Sequence, residues 1–208
     1  MQGGLGQSGS VNLPNAITFS RLLLAAVFVW ALDCGGAAGS VVALVTFSVA
    51  AATDWLDGYL ARKMGLVTPL GKLLDPLADK ILVCAAFVFM STLGFAPVWV
   101  TALIIAREFL VTGLRQIAVE AGQVLAADRL GKWKTTFQLT YVITALVWIS
   151  FSEFSARPWV FEQLWRLARP AGEGGWLMPA SLWLAVALTV ISGVNYVWSS
   201  RRLLVGKA

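Results

Sequence analysis

The sequence predicts an all-α, polytopic integral membrane protein with six transmembrane helices. Of its 208 residues, 58% are hydrophobic and only 13% charged, against about 45–50% apolar and about 25% charged in an ordinary soluble domain. Mean hydropathy is +0.76. The apolar residues also fall into six runs, each close to the ~20 residues that cross a ~30 Å hydrocarbon core.

Residues 1–11 open on MQGGLGQSGS, which is polar, Gly-rich and uncharged. They lack the basic n-region and short apolar h-region of a cleaved leader and are expected to form a disordered tail. From Asn12 onward the chain reads as one membrane domain, 12–208. Pro14 and Asn15 supply helix-start chemistry for a first span at 16–32. Further spans are expected at 40–61, 72–93, 97–120, 134–152 and 178–201, which leaves no room for a separate soluble domain. Between the last two, Trp159, Phe161, Leu164, Trp165 and Leu167 interleave with Glu162, Arg166 and Arg169. That pattern fits a short amphipathic helix lying in the interface and fits an ordinary aromatic belt equally well.

Composition excludes several chemistries. There is no His, so His-based triads, His-ligated metals and His proton shuttles are ruled out. Cys34 and Cys84 form no C-x-x-C pair and are expected to pack as small hydrophobes. The net charge of +5 is read as a basic membrane face rather than a nucleic-acid site. Arg21, Arg62, Lys63, Lys72, Arg129, Lys132, Lys134, Arg201, Arg202 and Lys207 lie on one side of the six-span layout, against Arg157, Arg166 and Arg169 on the other. By the positive-inside rule both termini of this multi-pass protein are expected to be cytoplasmic.

The chemistry concentrates in DWLDGYLARKMGLVTPLGKLLDPLADK, residues 54–80. Asp54, Asp57, Asp75 and Asp79 stand near the ends of two apolar helices, where each deeply placed carboxylate costs roughly 2.5–3.5 kcal/mol. At about 100° per residue, Asp54, Asp57, Gly58, Ala61 and Arg62 fall within about 140° of arc, and Gly71, Asp75 and Asp79 within about 80°. Two one-sided carboxylate pairs of this kind are hard oxygen donors suited to Mg²⁺ or Mn²⁺. Four are enough for two ions, the arrangement that clamps the attacking and leaving oxygens in phosphoryl transfer. Gly58, Ala61 and Gly71 allow either close approach of a flat ligand or tight helix packing.

The same stretch follows D-x2-D-G-x2-A-R-x8-G-x3-D-x3-D at every fixed position and resembles the signature of the CDP-alcohol phosphotransferases. IIAREFLVTGLRQIA (104–118), GKWKTTFQ (131–138) and the opening NLPNAITFSRLLL resemble the members of that family whose acceptor is glycerol 3-phosphate. The likeness covers nearly all of 12–152 and fades over 153–177. It implies the family's membrane fold, a homodimer, and transfer of a phosphatidyl group from CDP-diacylglycerol with release of CMP. It further implies Asp54, Asp57, Asp75 and Asp79 as metal ligands, with Asp79 also the catalytic base, and Gly58, Ala61, Arg62, Thr68 and Gly71 around the donor nucleotide.

An acceptor phosphate has plausible partners in the remaining bases. Arg107 and Arg115, eight residues apart, share one face of the fourth span about 12 Å apart along its axis. Glu108 is placed to pair with one of them. Lys132 and Lys134 stand at the entrance of the fifth span, either as phosphate ligands or as positive-inside anchors. A sibling transferase using another acceptor, in the manner of cardiolipin, phosphatidylinositol phosphate or phosphatidylserine synthases, is the nearest alternative. A divalent cation transporter with the four Asp at its transport site belongs to a different class, and the absence of an internal repeat speaks against it.

Overall fold

The computed structural model describes residues 13–64, 69–122, 129–152, 154 and 158–204, with side chains described except at 13–18, 54–64, 69–79, 129 and 202–204. The expected tail, 1–11, lies outside the described residues. Seven α-helices are present among them, α1 (Leu13–Cys34), α2 (Gly36–Met64), α3 (Pro69–Thr92), α4 (Val98–Glu120), α5 (Arg129–Ser152), α6 (Trp159–Leu167) and α7 (Leu177–Leu204), with a 3₁₀ turn at Ala171–Glu173. The described residues contain no strand. The six long helices coincide with the six expected segments, most of them extended by a few residues.

The turn between α1 and α2 is shorter than the sequence suggests. Gly35 and Gly36 adopt φ of 65° and 69°, a left-handed conformation open to glycine, so α2 begins two residues after α1 ends. A Cβ on Gly39 would stand 2.5 Å from the Ala31 carbonyl oxygen. The two helices therefore leave their shared turn in backbone contact.

Neighbour by neighbour, the long helices close a ring in the order α1, α2, α5, α7, α4, α3 and back to α1, and α5 also touches α3 and α6. Its interior is filled by Phe28, Phe47, Phe87, Met90, Ile104, Tyr141 and Leu146. Phe28 meets Phe47 at 5.5 Å between ring centroids, and Phe87 stacks on Tyr141 at 5.3 Å. Ala43, Ala86, Ala145 and Ala185 are fully buried among them, small residues that let helices approach where lipid offers no hydrophobic drive.

Among the described residues, three helices contain stretches long and apolar enough to cross a membrane, Gly36–Thr53, Leu130–Ser152 and Leu177–Arg201. These define a membrane protein, and the other three expected spans are not among them. α4 is 23 residues long but carries Arg107, Glu108, Arg115 and Glu120, and the described apolar part of α3 is only Lys80–Thr92. α5 qualifies by length and composition, and its hydroxyls are accommodated, since Thr135, Thr136, Thr140 and Thr144 each donate to the carbonyl four residues back. Each such bond satisfies inside the helix a group that hydrocarbon cannot.

The interleaved rings and charges of segment 153–177 fall on a short helix, α6. α6 follows Pro158 and carries Glu162 in its first turn and Arg166 in its last. Its aromatic side stacks on the end of α5, with Trp148–Trp165 at 4.7 Å and Phe151–Phe161 at 4.9 Å. Cys34 corrects one expectation, since it is exposed beside the glycine turn rather than packed, while Cys84 is half-buried.

Candidate active site

The metal and nucleotide candidates divide between two helices. Asp54, Asp57, Gly58, Ala61 and Arg62 belong to the last third of α2, and Gly71, Asp75 and Asp79 to the first half of α3. Their side chains, and Thr68 entirely, lie outside the described residues. Helical backbone over both segments sets Asp54 and Asp57 about one turn apart, and Asp75 and Asp79 likewise. Two hard-donor pairs at that spacing, in helices joined by a short connection, fit divalent cations.

The candidate phosphate ligands are drawn together by Glu108. Its carboxylate accepts a hydrogen bond from the Lys134 ammonium and lies 3.8 Å from the Arg107 guanidinium. All three are deeply sheltered, with Arg107 9%, Glu108 8% and Lys134 2% exposed. A carboxylate shared between two cations lets both be buried at a cost that neither could meet alone. Gly131 and Gly193 flank the Arg107 side chain, where a Cβ on each would stand 3.9 Å and 3.4 Å from it.

α7 supplies the other wall. Ser192 accepts a hydrogen bond from Arg107 at 3.0 Å, and the Tyr196 hydroxyl accepts one from Arg115. The Tyr196 ring lies beneath both guanidinium groups, 5.1 Å from Arg115 and 5.8 Å from Arg107, within the range of cation–π attraction. Arg107 and Arg115 therefore do share a face, and that face is turned toward α7.

The fourth predicted ligand, Lys132, is exposed while Lys134 is buried. Two residues on a helix are separated by about 200°, so the pair cannot line one pocket, and Lys132 stays at the entrance. Sequence reasoning missed Ser192 and Tyr196, although their one-turn spacing in the last span was a visible signal. It also missed a small cavity of about 70 Å³ beside Lys134, bounded by Arg21, Ala51, Lys80, Glu108 and Gln138. The sequence places Arg21 only among the bases of one membrane face.

A helical membrane bundle that buries a cluster of cations on α4 and α5, next to helices carrying four aspartates at turn spacing, has the makings of a phosphoryl-transfer centre. The family model for CDP-alcohol phosphatidyltransferase matches residues 11–191, and the chain belongs to that family. Divalent-metal dependence is general among its members. A CDP-diacylglycerol–glycerol-3-phosphate 3-phosphatidyltransferase of Bacillus subtilis (strain 168) is 40% identical over 197 residues, covering 89% of this chain and 93% of that protein. A probable phosphatidylglycerophosphate synthase of Mycobacterium tuberculosis (strain H37Rv) is 36% identical, covering 92% of this chain and 83% of its own. A CDP-diacylglycerol–glycerol-3-phosphate 3-phosphatidyltransferase of Rickettsia felis is 31% identical over 89% of this chain and 93% of its own.

Proposed function

We propose that this protein transfers the phosphatidyl group of CDP-diacylglycerol to sn-glycerol 3-phosphate, forming phosphatidylglycerol phosphate and releasing CMP. The observation that carries the reading is the 40% identity to a relative of that name over 89% of the chain. The buried cations gathered on α4 and α5 support it, because a phosphorylated acceptor needs them and a neutral alcohol does not.

In this reading Gly58, Ala61, Arg62, Thr68 and Gly71 hold the cytidine nucleotide, and the acyl chains of the donor remain in the bilayer. Asp54, Asp57, Asp75 and Asp79 would hold Mg²⁺ or Mn²⁺, two ions per site, which supplies neutralisation of the pyrophosphate and of the leaving group. Lys134, Arg107 and Arg115 bind the acceptor phosphate, Arg by its planar fork and Lys as a point charge, with Lys132 at the exposed mouth. Asp79 takes the proton of the acceptor hydroxyl as that oxygen bonds to the β-phosphorus and the bridging P–O bond breaks toward CMP. Ser192 and Tyr196 keep the two arginines extended toward the site. The excess of Lys and Arg on one side of the spans supports an active site and termini at the cytoplasmic face of the inner membrane. A homodimer completes the proposal on family likeness.

Incubating purified protein with CDP-diacylglycerol and each candidate alcohol tests it. CMP release with glycerol 3-phosphate is expected, and release only with inositol phosphate, serine or phosphatidylglycerol overturns the acceptor. Asp79→Asn is expected to abolish turnover while largely preserving donor binding. Equal loss of donor binding assigns Asp79 to the metal site alone.

A further inference from the structure

Gln138 is a buried polar group of the α5 face beside the candidate site that the mechanism above does not use. It sits one turn beyond Lys134, is 2% exposed, and lines the cavity of about 70 Å³. Its side-chain Nε2 has no hydrogen-bond partner among the described residues. Buried amides are almost always satisfied, so an unused donor at the wall of a cavity marks a place where something else accepts from it.

The surroundings say what. A cavity of this size exceeds the ~10–15 Å³ that one water needs and takes a few small polar atoms. Lys134 and Glu108 stand at one side, with Ala51 of α2 and Lys80 of α3 at another. Ala51 is three residues before Asp54 and Lys80 directly follows Asp79. The cavity thus lies between the Glu108–Lys134 pair of α4 and α5 and the carboxylate-bearing segments of α2 and α3. A phosphorylated alcohol reaching from the first to the second passes its carbon chain along this wall. The charged groups are suited to the phosphate, whereas a neutral amide is suited to a neutral hydroxyl.

We infer that Gln138 is a specificity-determining residue that donates a hydrogen bond to the non-reacting, secondary hydroxyl of the acceptor. The inference rests on glycerol 3-phosphate being the acceptor and goes beyond it by naming which hydroxyl is read and by what. A site that hydrogen-bonds a substrate hydroxyl discriminates against the analogue lacking it, because the buried donor is left unpaired.

The test compares glycerol 3-phosphate with 3-hydroxypropyl phosphate, which keeps the primary hydroxyl and the phosphate but lacks the secondary hydroxyl. CMP release from CDP-diacylglycerol is followed with the full chain and with Gln138→Leu and Gln138→Glu. The unaltered protein is expected to favour glycerol 3-phosphate in kcat/KM by about tenfold, the scale of one neutral hydrogen bond. Both variants are expected to lose that preference through a raised KM for glycerol 3-phosphate, with the KM for CDP-diacylglycerol and the rate on 3-hydroxypropyl phosphate within about twofold of the starting values. An unaltered protein that uses the two acceptors equally overturns the inference without any variant. So does an equal fall on both acceptors in the variant that retains donor binding, which is the mark of a structural role. No CMP release from the unaltered protein with either acceptor overturns the proposed acceptor itself, and that result is distinct from the other two.

Discussion

Charge and aromatic rings meet at two places in this protein, and the two are built on opposite terms. Around Glu108, three helices converge: α4 gives Arg107, Glu108 and Arg115, α5 gives Lys134, and α7 gives Ser192 and Tyr196. Around α6, the ion pair is made inside a single short helix, Glu162 with Arg166 at 2.9 Å. There the link to the rest of the fold is aromatic, through Trp148–Trp165 and Phe151–Phe161, and Arg169 lies 4.8 Å over the Trp165 ring. In the first region charge holds helices together and is sheltered at Arg107, Glu108 and Lys134. In the second, stacking does the holding, Glu162 and Arg169 are half-buried and Arg166 faces outward. Burial, not the number of charged residues, decides which region depends on its ions.

Glu108→Gln is the sharpest way to break the comparison. It removes the carboxylate shared by two sheltered cations while keeping the side chain's shape. Breaking a buried pair in this way costs about 3–5 kcal/mol. Thermal unfolding in detergent should show the largest fall of any single substitution discussed here, together with loss of transferase activity. A midpoint unchanged within error would mean that water or another anion already serves Lys134 and Arg107, and the contrast between the two regions would fail.

Tyr196→Phe probes the same region more gently. The substitution deletes the hydroxyl that accepts from Arg115 but keeps the ring beneath both guanidinium groups. A loss of about 1.5–3 kcal/mol is expected, the net value of a hydrogen bond to a charged group. If Tyr196 positions Arg115 for the acceptor phosphate, the KM for glycerol 3-phosphate rises severalfold while that for CDP-diacylglycerol stays fixed. An equal rise in both would make Tyr196 part of the packing only.

How much of this was legible beforehand follows from what local sequence encodes. The six long helices were readable because apolar residues dominate six segments of near-spanning length, even where charges interrupt them as in α4, while the rings and charges of α6 left a helix and an aromatic belt equally open. The motif from Asp54 to Asp79 was readable because its residues repeat at helical spacing within one stretch. The partners of Arg107 and Arg115 were not, since Ser192 and Tyr196 stand 85 and 81 residues away and only the packing of α7 on α4 brings them in. Lys132 was grouped with Lys134 because proximity along the chain was taken for proximity in space, which a 200° turn of helix undoes. Glu108 was placed correctly as a partner, but that it serves two helices at once depends on the ring order, which no local pattern contains.

Glu162→Gln completes the comparison from the weak side. The pair it breaks is of the i,i+4 kind, with the Arg166 side chain 57% exposed, and such pairs contribute about 0.3–0.5 kcal/mol. In a chain of this size that corresponds to a shift in midpoint of no more than about 1–2 °C, with transferase activity unchanged. The same logic says what a larger effect would mean. A loss approaching that of Glu108→Gln requires Glu162 and Arg166 to be as sheltered as Glu108 and Lys134, and a single chain does not shelter them. Something pressed against the outer face of α6 would then have to, and the two regions would differ in where their cover comes from rather than in whether they have any.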